Sequence, residues 1–264
     1  MTAAKRWADA LGQWALPDEV LAAAPDSPWT FPVEAFIAFA RDALDEPLTP
    51  THNRVREALP PDGVVLDVGS GAGAASLPVA PPAARIIAVD QDQSMLDALA
   101  RLADSGIDVD AVAGRWPDVQ DQVPAADVVV CANVAYNVAD LAPFVVALTA
   151  KARRRVVLEL TEAHPQAPLS PLWRQFWDLP RPTRPVADDA IEVIGEALGC
   201  QPRVERWTRA RAVLNTTGGD AVPWTRRRLC LPPERDPEVA AALAAMPAPA
   251  SSAVVTVWWP GGAG

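Results

Sequence analysis

The chain has 264 residues, half of them hydrophobic, and a formal net charge of −10. That length supports one large α/β domain or a domain with an appendage, and the acidic balance repels phosphate backbones, which argues against DNA or RNA as the main partner. Three scattered cysteines (Cys131, Cys200, Cys230) show no metal-ligand spacing, and no run reaches the ~18 apolar residues of a membrane span. No metal, no membrane and a reducing, cytoplasmic setting are therefore expected. The N-terminus "MTAAKRWADALGQW" has no signal-peptide apolar run.

Residues 1 to about 60 read as helices. Trp7, Leu11 and Trp14 share one helical face. Val33, Phe36, Ile37, Ala40 and Leu44 share another, after a capping Thr30 and a Pro32. A third short helix is expected over 51–59. From Val64 the pattern alternates strand and helix. Strands are expected at 64–68, 85–90, 108–113, 127–132 and 154–160, as near-continuous apolar runs suited to parallel strands buried on both faces. Between them, Met95, Leu96, Leu99 and Leu102 form one helical face, and Leu141, Phe144, Val145 and Leu148 another. A later helix spans about 188–198 and stops at Gly199. The tail returns to β pattern at "RVERWTRARAVL" and at 253–259, around an irregular insert over 215–250 with a short Ala-rich helix near 237–246. Repeated βα units predict a doubly wound α/β sheet, with 1–60 as a helical N-terminal cap and 61–264 as the main domain.

The informative stretch is "VVLDVGSGAGAAS", residues 64–76. Gly69, Gly71 and Gly73 let the backbone turn sharply and approach a ligand closely. Asp90 ends the next strand, 21 residues after Gly69, where a carboxylate can take both hydroxyls of a ribose. Asp67 stands two residues before the first glycine. A carboxylate there repels a pyrophosphate and attracts a cation, which favours S-adenosylmethionine over NAD. An NAD-dependent oxidoreductase is further disfavoured because no Tyr–Lys or His–Asp pair is recognisable, with lysines only at 5 and 151.

"VVLDVGSGAGAAS", "IIAVDQDQSML" and "ADVVVCANVAYNV" together resemble motif I, the acidic post-I motif and the fourth-strand motif of class I S-adenosylmethionine-dependent methyltransferases, over about residues 60–160. The resemblance implies a Rossmann-like, mostly parallel sheet of seven strands with an antiparallel last strand, and a helical N-terminus that caps the substrate. It also implies that Asp67, Gly69, Ser70, Gly71 and Gly73 line the methionine end of the cofactor, that Asp90 holds the ribose, and that Gln91 and Met95 flank the adenine. Where many members place an acid after the third strand, this chain has "AGRWPDV". Arg115 cannot accept the adenine amino hydrogen bond, so Trp116 stacking or a backbone group is expected there instead.

On the acceptor side, Asn133 and Tyr136 in "CANVAYN" follow the fourth strand and are expected to face the methyl group. They faintly echo the N-P-P-Y loop of amino-group methyltransferases, with both prolines replaced. His164, after the fifth strand, is the expected base, with Glu159 or Glu162 to orient it or to bind substrate. Trp29, Trp173 and Trp177 are expected to wall an apolar or aromatic small molecule. Seven arginines between 203 and 228 (203, 206, 209, 211, 226, 227, 228) stand against Glu205 and Asp220, as either a solvated strand face or a patch for an anion. The sequence thus leads to methyl transfer from S-adenosylmethionine to a small molecule by in-line displacement. The rival is a cofactor-binding regulatory or scaffold protein that kept the pocket and lost the chemistry.

Overall fold

In the computed structural model the described residues are 1–29, 32–103, 106–210, 221–246 and 251–263. Thr30, expected as a helix cap, and Arg211 and Asp220 of the arginine-rich stretch lie outside them, as does the end of the expected strand "RVERWTRARAVL".

The apolar runs form the sheet. Its strands are β1 (Gly63–Val68), β2 (Ala83–Asp90), β3 (Asp108–Ala113), β4 (Ala126–Ala132), β5 (Ala152–Thr161), β6 (Arg203–Arg209) and β7 (Ser252–Pro260), in the order β3-β2-β1-β4-β5-β7-β6. β7 runs antiparallel to both neighbours, and the other pairings are parallel. The central strands β1 and β4 are almost wholly buried, as their Val and Leu runs require, whereas the edge strand β3 is half-covered.

The helices among the described residues are α1 (Ala3–Gly12), α2 (Asp18–Ala23), α3 (Val33–Asp45), α4 (Pro50–Arg56), α5 (Gln93–Leu102), α6 (Leu141–Lys151), α7 (Ser170–Trp177), α8 (Ala187–Leu198), α9 (Ala221–Arg228) and α10 (Asp236–Ala245). α1, α6 and α8 pack on one face of the sheet, over a core that includes Trp7, Phe144, Leu148, Ile194 and Trp259. α3, α4 and α5 cover the other face, where Val55 meets Val65, Val128 and Val157, and Leu96 and Leu99 meet Ile86 and Ala88. A separate apolar cluster joins Val20 of α2, Leu172 and Trp173 of α7, Leu229 just past α9, and Val239 of α10.

Two features bear on the site. The β1–β2 crossover carries no α-helix, only a 3₁₀ turn at Leu77–Val79. Pro78, Pro81 and Pro82 remove the amides a helix there would need. α3 and α4, from before β1, cover that turn instead. Residue 60 is not a break in the packing either. α1 is pinned to the far face by Trp7 Nε1 donating to the Val138 carbonyl at 2.8 Å, and Ala3 N donates to Glu196 at 2.8 Å. Of residues 1–60, α3 and α4 lie on the side of the glycine loop.

Candidate active site

The glycine loop leaves β1 with Gly69, Gly71 and Gly73 at φ of +71°, +50° and +90°, the left-handed region that favours glycine. Space is as tight as the dihedrals. A Cβ on Gly69 would lie 2.3 Å from Val134 Cγ2, and one on Gly71 would lie 2.9 Å from Phe36 Cδ1 of α3. The loop is tied to β2: Gly69 N and Ser70 N donate to the Val89 carbonyl, and Gly71 N donates to Asp90 Oδ2 at 2.9 Å. Asp90 Oδ1 takes the Asp92 amide at 3.0 Å, so this half-buried carboxylate is aimed along the loop. Since the loop runs into a 3₁₀ turn, it offers no α-helix N-terminus to a pyrophosphate, the usual means of holding a dinucleotide.

Asp67 is the most unusual group in the site. It is 1% exposed, and neither carboxylate oxygen accepts a hydrogen bond from the described residues. Burial pushes its pKa up to about 7; the Ser76 hydroxyl, itself buried outside hydrogen-bonding geometry, opposes the rise and Asp90 adds to it. Unpartnered buried carboxylates are costly. An ammonium or sulfonium close by removes the cost, and a phosphate increases it. The donor set therefore fits S-adenosylmethionine and does not fit NAD.

The adenine side is less open. Met95 and Ser70 are buried and Gln91 is exposed. Arg115 is exposed. Trp116, expected to stack on adenine, is 6% exposed and belongs to the core on the α1, α6 and α8 face, with its Nε1 unpartnered.

At the ends of β4, β5 and β6 a buried polar network faces α3 and α4. Asn133 ends β4 at φ +60°, which Asn tolerates. Its backbone amide donates to the Glu159 carbonyl at 2.8 Å, and its Nδ2 to Glu159 Oε1 at 3.2 Å. Arg209 Nη2 reaches the same oxygen at 2.9 Å. Thr51 of α4 donates to Glu159 Oε2 at 2.6 Å and lies 2.7 Å from the Thr256 hydroxyl. Burial opposes the charge on Glu159, but Arg209 and the Thr51 hydroxyl outweigh it and hold its pKa below the ordinary carboxylate range. His52 takes the Thr49 amide on Nδ1 at 3.2 Å and sets Nε2 3.0 Å from the Ala74 carbonyl, which fixes Nε2 as the protonated nitrogen. Burial lowers its pKa despite that bond. A cavity of about 70 Å³ lies between this network and α3, lined by Phe39, His52, Ala74, Asn133, Glu159 and Arg209 among others.

A family model for a methyltransferase domain matches residues 65–156. Among solved structures, the YcgJ protein of Bacillus subtilis superposes with a TM-score of 0.52 at 16% identity, over 81% of this chain and 98% of that one. Residues 65–156 therefore match a methyltransferase domain, carried on a Rossmann-like methyltransferase fold. Magnesium protoporphyrin IX methyltransferase of Synechocystis, solved with bound S-adenosylhomocysteine, superposes with a TM-score of 0.51 at 13% identity, over 87% of this chain and 84% of that one. At these identities the likeness is one of fold. An uncharacterized protein of Haemophilus influenzae is 37% identical over 106 residues, 39% of each chain, so the match spans about two fifths of that curated relative.

Within this methyltransferase fold the remaining expected site residues sit apart from the network. His164 is 7% exposed, stacked on Trp14 at 3.8 Å between centroids and edge-on to Tyr136 at 5.2 Å. Burial pushes its pKa down to about 4, with Arg181 adding to the fall. Tyr136 donates its hydroxyl to the Thr161 carbonyl at 2.9 Å and stacks on Trp7. Burial raises its pKa, and Glu162 adds to the rise. Neither Glu159 nor Glu162 orients His164. Glu159 points to Asn133 and Arg209, while Glu162 pairs with Arg206. The two-residue strand period explains this: Leu158 and Leu160 face the core that holds Tyr136, and Glu159 faces the opposite side.

The tryptophan wall is also corrected. Trp173 is fully buried in the second apolar cluster, and Trp177 packs against that cluster with Nε1 donating to the Leu229 carbonyl at 2.7 Å. Trp29 is 47% exposed. The arginine stretch is not one patch. Arg203 is exposed, Arg206 pairs with Glu162 and Asp188, Arg209 joins the network, Arg226 pairs with Asp236, and Arg228 donates to the Pro28 carbonyl at 2.5 Å. The residues the sequence reading missed are Thr51, Thr256 and Arg209's specific partnership with Glu159.

Proposed function

We propose that the chain transfers a methyl group from S-adenosylmethionine to a small-molecule acceptor by direct in-line displacement. The observation that carries this reading is Asp67, a buried carboxylate without a hydrogen bond beside a glycine loop that leads into no helix. S-adenosylmethionine, when bound, supplies an electrophilic methyl carbon on a positively charged sulfur that departs as a neutral thioether. Asp67 and the amides of the 69–73 loop would hold its cationic amino-acid end, and Asp90 its ribose hydroxyls. Asn133, locked by its own amide and by Nδ2 onto Glu159, leaves Oδ1 to accept a hydrogen bond from an incoming N–H or O–H. Positioning of this kind supplies much of the rate of a displacement, and a base is needed only when the nucleophile arrives protonated. His164, held neutral in an aromatic stack, and His52, with both nitrogens committed to backbone partners, are poorly equipped for that role.

Phe36 of α3, in contact distance of the glycine loop, supports a capping role for that helix within 1–60. The net charge of −10 supports a small molecule over a nucleic acid. The free cysteines Cys131, Cys200 and Cys230 suit a reducing cytoplasm, and no helix among the described residues is long and apolar enough to cross a membrane.

The test is thermal unfolding with S-adenosylhomocysteine, with NAD as control. At a hundredfold excess over Kd, a native-state ligand adds about 2.7 kcal/mol, roughly 5–10 °C for a chain of this size. A shift with S-adenosylhomocysteine alone is expected. A shift with NAD alone would refute the reading.

A further inference from the structure

We infer that the acceptor is a small molecule bearing one carboxylate, and that Arg209 is the residue that recognises it. This rests on the methyl-transfer reading only for the word acceptor; the anion site itself stands on the geometry of the cavity.

Arg209 closes the cavity at the end of β6. Its guanidinium lies between two rings, 5.2 Å from the centroid of Phe39 on α3 and 4.9 Å from that of Trp207. Nη2 is spent on Glu159 at 2.9 Å. Nη1 is buried and has no hydrogen-bond partner among the described residues. The side chain is only 13% exposed, so water does not freely satisfy that nitrogen. A guanidinium held against two aromatic rings, with one nitrogen committed and another without a partner among the described residues, is arranged for a planar oxyanion. Its partner Glu159 is fully engaged by Thr51, Asn133 and Arg209, and does not turn away to make room.

Size and charge narrow the class. About 70 Å³ is room for a carboxylate and the first atoms behind it, with the rest of the molecule at the mouth against Phe39. Asp42 and Glu46 also line the cavity. With Glu159 they make three acids against one arginine, so a dianion such as phosphate meets repulsion that a monoanion with a neutral or cationic remainder meets far less. The expected ligands are simple monocarboxylates, amino acids among them. The cavity also touches Ala74 and Ala75 of the glycine loop and Asn133, so a molecule anchored at Arg209 extends toward the place where the methyl group is presented.

The experiment uses the full chain and ligand-detected NMR with three probes: benzoate, benzamide of the same shape without the charge, and inorganic phosphate. Each is run with and without S-adenosylhomocysteine. Benzoate is expected to bind at least about tenfold more tightly than benzamide or phosphate, the scale of a hydrogen bond to a charged group. Equal binding of benzoate and benzamide, or tighter binding of phosphate, would overturn the inference on the wild-type protein alone. A double variant, Arg209→Met with Glu159→Gln, removes the pair together and leaves no lone buried charge. It should lose about tenfold in benzoate affinity while S-adenosylhomocysteine still raises its Tm. Full benzoate affinity in that variant would also overturn the inference. If S-adenosylhomocysteine shifts neither protein, the methyl-transfer reading fails, and the benzoate arm without it still decides whether Arg209 is an anion site.

Discussion

Replacing Asp67 with Asn should make the protein more stable at pH 8 and no more stable at pH 5. The carboxyl is raised from 3.8 to about 7 by burial, offset by Ser76 and reinforced by Asp90. The folded protein therefore holds a proton at Asp67 that the unfolded chain has released. Stability is undiminished below the unfolded value and falls as pH rises through this window. At about 1.4 kcal/mol per pH unit, the raised pKa of Asp67 costs about 1.5 kcal/mol at pH 5, where the folded protein keeps a proton the unfolded chain has released, and about 4 kcal/mol by pH 8. An Asn amide in the same place is also unpartnered, at a cost of about 1–3 kcal/mol that does not change with pH. The net is a gain of about 2 kcal/mol at pH 8, roughly 5 °C in Tm, and a difference near zero or slightly negative at pH 5. The assay is thermal unfolding of both proteins from pH 5 to 8 without ligand. A Tm difference that stays constant across that range, or a variant less stable at pH 8, would refute the reasoning. The same variant should lose the shift caused by S-adenosylhomocysteine, because the stabilised protein has lost its buried anion.

Binding of S-adenosylhomocysteine should weaken about tenfold between pH 8 and pH 6, since its ammonium seeks the ionised form of a carboxyl titrating near 7; calorimetry across that range checks it, and a flat profile removes Asp67 from the binding site. Gly69→Ala places a methyl group 2.3 Å from Val134 Cγ2 at φ +71° and should destabilise by about 1–3 kcal/mol while abolishing cofactor binding; partial recovery in Gly69→Ala with Val134→Ala would confirm the clash. Glu159→Ala leaves Arg209 as a lone charge, 13% exposed, and should cost about 3–5 kcal/mol in denaturant unfolding, far more than Glu57→Ala, since Glu57 is itself 45% exposed where it pairs with Arg54 and Arg155.

The sheet was legible because parallel strands buried on both faces must be written as unbroken apolar runs, and those runs stand within two residues of β1 through β5. Asp67, the glycines and Asp90 were legible for a related reason: they lie on one short loop and the end of the next strand, so their spacing in sequence is close to their spacing in space. Amphipathic faces carry less. Trp7 and Phe36 sit in equally patterned helices, yet one covers the far side of the sheet and the other the glycine loop. Nothing in a helical period says which. The stripe of Trp173, Phe176 and Trp177 reads identically whether it walls a ligand or joins Leu16, Val20 and Leu229 in a second core, and the structure has the core. The missing crossover helix had a signal in Pro78, Pro81 and Pro82. The buried network around Glu159 had none. Arg209 and Glu159 are 50 residues apart and Thr51 and Thr256 are 205 apart, and only the pairing of β5, β7 and β6, with α4 packed across β5 and β7, brings them together.

The two histidines show how the same residue type divides by face. His164 and His52 both stand near strand ends and both are buried. His164 follows β5 on the side of Tyr136 and Trp14, so its ring is packing material and its basicity is suppressed to about 4. His52 opens α4 on the cavity side and is held neutral there by burial, with its tautomer set by Thr49 and Ala74. A neutral His52 adds no second positive charge beside Arg209, so the charge balance of the cavity is decided by Arg209, Glu159, Asp42 and Glu46. A protonated His52 would add a positive charge beside the glycine loop, and a like charge there would weaken the binding of a cationic cofactor. Burial of His52 therefore leaves no cation of its own beside the glycine loop, whose nearby carboxylates are Asp67 and Asp90.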